Sequence, residues 1–181
     1  MSDTETAKME ERVAQGLAYI QKLEACPNDE LVERMRGTKD KFLAEIDGLS
    51  DAQVAFSPGE GQWCVNQVCL HMQDALALVA DAICDLAKGN EFPDTTGEEV
   101  MGQLADDPGD FALTAKALSA TLDKTIAVIM DLPAEPNATL QAPHPLFGML
   151  NYREWIAFNI MHAVVHIRQI QRIKGSPGFP A

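Results

Sequence analysis

Apolar residues recur at helical spacing along five stretches of this chain, separated by polar or proline-rich breaks. Over residues 8–25, Met9, Val13, Leu17, Ile20 and Leu23 share one side, and Cys26-Pro27 ends the run. Asn28, Asp29 and Glu30 open a second helix over 29–48, with Leu31, Met35, Phe42, Ile46 and Leu49 on one side and Gly48 and Ser50 closing it. Ser50–Val54 reads as a short turn and Ser57–Gly61 as a loop. Residues 65–88 carry the cleanest pattern. Val65, Cys69, Met72, Leu76, Val79, Ile83 and Leu86 repeat by fours and threes, and Val68, His71, Ala75, Leu78 and Ala82 form an adjacent stripe. Two neighbouring apolar stripes predict a broad buried face, as in a bundle helix.

The polar, acidic stretch 89–107 is long enough for a crossover connection rather than a tight hairpin. Asp107-Pro108 matches a helix start, and Phe111, Ala115, Leu118, Leu122, Ile126 and Ile129 carry that helix to about residue 132. Pro133, Pro136, Pro143 and Pro145 then predict an extended segment. Asn151-Tyr-Arg-Glu154 reads as a capping box for the last helix. That helix is apolar around much of its circumference from Trp155 to Val165, so it belongs deep in the core. Arg168, Arg172 and Lys174 suit its C-terminal end, and Gly175-Ser-Pro-Gly terminates it. No stretch reads as a strand, so the expectation is an all-α fold.

At 181 residues, with 46% hydrophobic and 23% charged positions, the chain is long enough for one compact domain. A net charge of −13 excludes the basic surface that nucleic acid or an anionic membrane requires, so neither is expected as a partner. No apolar run approaches the ~20 residues of a membrane span. The polar start, Met1 to Lys8, has no signal-like apolar segment, which predicts a cytoplasmic protein. Cys26, Cys64, Cys69 and Cys84 form no Cys-x-x-Cys pair and are expected to be free.

Three of the four histidines fall inside apolar helical segments, and they are the candidate chemistry. His162 and His166 are four apart and therefore share one helix face. His71 is the polar member of its stripe and points to the same interior. Buried histidines are often hydrogen-bonded core residues. Three unpartnered rings would nevertheless cost ~1–3 kcal/mol each, and one shared divalent metal would satisfy all three. Asp74, three residues after His71, could orient that ring or simply be solvated. His144, in a proline-rich segment, reads as a surface or loop-packing residue. Trp63 and Trp155 read as core anchors that could instead line a cavity. Cys69 lies on the apolar stripe, and Cys64 lies ~10 Å along the helix from His71, too far to share its metal directly.

Three segments of this chain resemble the DinB-like family: Gly61-Gln-Trp-Cys-Val-Asn-Gln-Val-Cys-Leu-His71, His144–Trp155, and His162-x-x-x-His166-Ile-Arg-Gln-Ile170. The text from Leu31 to Val54 fits as well, and the resemblance covers about residues 29–173. It implies a four-helix bundle of up-down-down-up course over 29–181, with residues 1–28 as an added N-terminal helix. It also implies a divalent metal, zinc or nickel, on His71, His162 and His166, and a homodimer. The family includes S-transferases and isomerases that use low-molecular-weight thiols.

Two classes of function follow. Three histidines leave an open metal position, as in catalytic sites, where a thiol could be activated for transfer to an electrophile or water for hydrolysis. The other class is a non-catalytic metal-containing bundle serving stress response or sensing. No general base is evident beside the trio.

Overall fold

The computed structural model describes residues 3–91, 109–133, 135–137 and 139–181. Six helices and one short hairpin follow in the order α1 (Asp3–Glu24), α2 (Asn28–Ile46), α3 (Asp51–Val54), α4 (Val65–Lys88), α5 (Phe111–Asp131), β1 (Gln141–His144), β2 (Gly148–Asn151) and α6 (Tyr152–Lys174). Among the described residues, no helix is long and apolar enough to cross a membrane.

Helices α2, α4, α5 and α6 form a four-helix bundle, and their side-chain pairings give its course. Asn28 at the start of α2 donates to the carbonyl of Leu132 just beyond α5 (2.8 Å), and Lys39 pairs with Asp123, so these helices are antiparallel. Asn66 at the start of α4 donates to the carbonyl of Gly109 just before α5 (2.9 Å), and Lys124 pairs with Asp81 further along (2.6 Å). Helices α4 and α5 therefore run parallel. Glu45 near the end of α2 meets Lys174 at the end of α6 (2.8 Å), while Arg153 at the start of α6 reaches Asn28, so α2 and α6 also run parallel. The bundle is up-down-down-up. Parallel neighbours need a returning connection, which the length of 89–107 allows; residues 92–107 of it lie outside the described residues.

The core is one apolar cluster drawn from all four helices, with Trp155, Tyr152, Phe42, Met72 and Leu122 among its largest members. Helix α1 adds Ile20 and Leu23 to that cluster and packs antiparallel on α6. The joint between α1 and α2 is held by Arg153, which is 4% exposed. Its guanidinium donates to the carbonyls of Glu24 (3.0 Å) and Cys26 and to the side-chain oxygen of Asn28.

The structure corrects several expectations. The segment read as strandless contains β1 and β2, paired antiparallel from Gln141↔Asn151 to His144↔Gly148. Four residues per strand, with Pro143 in one of them, are too few to show a period of two. Asp107-Pro108 lies outside the described residues, and α5 begins at Phe111, capped by Asp110, whose carboxylate accepts from the Leu113 amide. The turn at Ser50 is a single helical turn with a Ser50/Gln53 capping box. The second stripe of α4 is buried at Val68 and Ala82 but exposed at Leu78. The capping box of Asn151 and Glu154 forms as expected.

Candidate metal centre

Helix α4 brings His71 to the bundle interior two turns from its N-terminus, and α6, running the other way, brings His162 and His166 opposite it. The Nε2 atom of His162 lies 3.2 Å from Nε2 of His71 and 2.9 Å from Nε2 of His166. One ring nitrogen from each of the three lies within 4.8 Å of the others.

Burial controls the protonation of this cluster. Loss of solvent lowers the pKa of His71, and the nearby Asp74 carboxylate offsets part of that shift. Burial and the neighbouring His166, His71 and His144 rings hold His162 well below the ordinary value. His166 is lowered to about 4, chiefly by burial and then by His71. All three rings are therefore neutral at pH 7, the form that can ligate a metal.

Hydrogen bonding fixes which nitrogen of His166 is free. Its Nδ1–H donates to Oε1 of Gln169, one helical turn on, at 2.8 Å. That leaves Nε2 with a lone pair aimed at His162. A proton on Nε2 of His162 would serve one neighbour well at best. The buried Nδ1 of His162 has no partner among the described residues. A cation among the three Nε2 atoms satisfies all of the inward lone pairs. Ligands about 2.0–2.1 Å from a divalent ion stand about 3 Å apart, the size of the two spacings that His162 makes. The donor set, three neutral imidazoles, suits zinc and nickel.

Trp63 walls the trio. Its indole meets the His71 ring edge-on with centroids 4.9 Å apart, and lies parallel to the His166 ring, within 4°, at 6.1 Å. The loop before it is stapled by Ser57, whose hydroxyl contacts the carbonyls of Gly59 (2.8 Å) and Gln62 (2.7 Å). Between this loop and the end of α6 lies an open cleft of about 520 Å³ that reaches His166 and Trp63 and is bounded further on by Gln169 and Arg172.

The other candidates fall elsewhere. His144 is buried rather than at the surface, among Phe147, Trp155 and Phe158. Its Nδ1 accepts from the amides of Leu146 (3.1 Å) and Phe147 (3.3 Å), which closes the hairpin turn. Asp74 is exposed and acts on His71 only through its charge. Trp155 belongs to the core, and Cys69 is a buried apolar member of it. Cys64 is the N-cap of α4. All four cysteines are free. Gln169 was not foreseen; its only signal in the sequence is its place three residues after His166.

The sequence model of the DinB superfamily matches residues 29–170. The chain belongs to the DinB superfamily. Two solved structures are similar to the chain in fold. One, TT2238, is described as a four-helix bundle protein; it is 19% identical, with a TM-score of 0.61 over 80% of this chain and 98% of its own. The other is YfiT from Bacillus subtilis, described as a probable metal-dependent hydrolase with an unusual four-helix bundle topology. It is 16% identical, with a TM-score of 0.63 over 83% of this chain and 89% of its own. No curated protein matches the chain. Within this DinB fold the three histidines form a cluster that could hold a metal ion.

Proposed function

We propose that His71, His162 and His166 hold one divalent ion, zinc or nickel, in an enzyme that transfers a low-molecular-weight thiol to an electrophile. The observation that carries this reading is the convergence of three neutral Nε2 atoms beside an open cleft. A divalent ion with a free position supplies Lewis acidity, which favours deprotonation of a thiol or water at neutral pH.

The chain's own contribution is to hold and shield. Gln169 keeps the proton of His166 on Nδ1, away from the ligating atom. Trp63 and the apolar core limit water around the trio, which strengthens electrostatic interactions there. No carboxylate lines the cleft among the described residues, so a nucleophile that needs no separate base is favoured. A thiol is more acidic than water and loses its proton with less help, which supports transfer as the first reading. Metal-dependent hydrolysis is the second reading, supported by the description of YfiT. Four free cysteines suit a cytoplasmic setting, where small thiols stay reduced. Exposed Leu113, Met130 and Met149 offer apolar surface for a homodimer.

The test is metal analysis of the native protein, then a screen of small thiols against electrophiles beside a screen of esters and amides. Metal-dependent thiol consumption supports transfer. Ester cleavage without thiol consumption moves the assignment to hydrolysis, and a loaded protein inert in both supports a non-catalytic role.

A further inference from the structure

The cleft beside His166 is charged against the trend of the molecule. The chain carries 27 carboxylates and a net charge of −13, yet no Asp or Glu lines this cleft among the described residues. Its formally charged lining residue is Arg172, and the other polar ones are Gln62, Gln169 and Ser176 beside His166. Arg172 lies in the last turn of α6, three residues beyond Gln169, which is itself three beyond His166. Spacing of three keeps neighbouring members on one face, so the ligand, its orienting amide and the cation form a row descending into the cleft.

A last-turn cation also offsets the helix dipole, but Lys174 already does so from the same turn while pairing with Glu45. The guanidinium of Arg172 makes no ion pair among the described residues. It is close enough for its charge to contribute to lowering the pKa of His166. Its donors remain available in a fork suited to two carboxylate oxygens.

The geometry points to Arg172 as a substrate-binding residue that takes a carboxylate, while the reacting end of the same small molecule lies at the edge of the trio, where His166 and Trp63 line the cleft. About 9 Å of helix rise separates residues 166 and 172, so the two ends must be several bonds apart. The local positive charge also draws an anion toward a protein whose net charge repels it. This inference rests on the metal-site reading above.

The test compares 4-mercaptobutyrate with its neutral amide on cobalt-loaded protein, followed by the sulfur-to-metal absorption band and by calorimetry. The expected result is about tenfold tighter binding of the carboxylate, the scale of one charged hydrogen-bonded contact. Arg172→Met should abolish that preference, and Arg172→Lys should keep part of it. Equal binding of the two compounds, or a preference that survives Arg172→Met, overturns the role of Arg172 while leaving the metal site intact. Cobalt that fails to load overturns the metal reading and this inference with it. Loaded protein that binds neither compound overturns the inference alone.

Discussion

Gln169 accepts the Nδ1 proton of His166 at 2.8 Å, so an uncharged amide determines which nitrogen of that ring faces the bundle interior. Second partners of this kind commonly tune metal affinity by about 10–100-fold. Gln169→Leu should therefore weaken cobalt binding by about that factor without unfolding the protein. Competition against a chelator of known affinity measures it, and an unchanged affinity would remove Gln169 from the site.

Direct ligand loss should be harsher. The native protein should carry about one divalent ion per chain. His71→Ala, His162→Ala and His166→Ala should each reduce it strongly, while His144→Ala should retain the ion because that ring is engaged in its own hairpin turn. Elemental analysis of the four variants decides this, with circular dichroism confirming that each is folded. A triple alanine variant that keeps its metal would show the site to be elsewhere.

The metal-free protein should be acid-labile in a defined window. Burial holds both His144 and His166 at about 4, against about 6.5 in an unfolded chain. A folded pKa below the unfolded one means that the unfolded chain takes up more protons as the pH falls. The stability contributed by these rings is complete above about pH 6.5, declines below it and is lost by about pH 4. Protonating Nδ1 of His144 would also remove the acceptor used by two backbone amides. Thermal melts of metal-free protein between pH 7.5 and 4.5 should show a falling Tm, with a shallower fall in His144→Gln. A flat profile across that range would contradict the buried placement of both rings.

Arg153 gives a stability prediction unrelated to the metal. Arg153→Met leaves the half-buried carbonyls of Glu24 and Cys26 without their donors. The cost should be about 3 kcal/mol, seen as a Tm lower by roughly 6–12 °C. The effect should be the same with and without bound cobalt; a loss seen only in the loaded protein would place Arg153 in the metal site instead.

The helices of this fold were legible because their apolar periods are long and regular. The pattern from Val65 to Leu86 predicted α4 at its observed bounds, and Asn151 and Glu154 marked the start of α6. The three histidines were legible as a group because each interrupts an apolar face. What escaped was short or tertiary. Strands of four residues show no periodicity, and Asp107-Pro108 resembled a helix start more closely than Asp110, which caps the observed one. Arg153, Arg168 and Arg172 all lie on α6, and their spacing alone does not tell which of them faces the cleft. Arg153 is buried against the α1–α2 joint, and Arg168 does not line the cleft. Only the packed direction of α6 reveals that Arg172 does.

The parallel course of α4 and α5 places His71 and the His162/His166 pair 91 and 95 residues apart along the chain. A helix carrying His162 and His166 can offer an ion two donors before anything else has folded. The third donor arrives only when the last helix docks against α4. An ion held by all three thus acts as a latch between early and late parts of the chain, and breaking it must precede separation of the two helices. Metal should for that reason slow unfolding more than it speeds folding, making retention of the native state a matter of lifetime as well as of equilibrium.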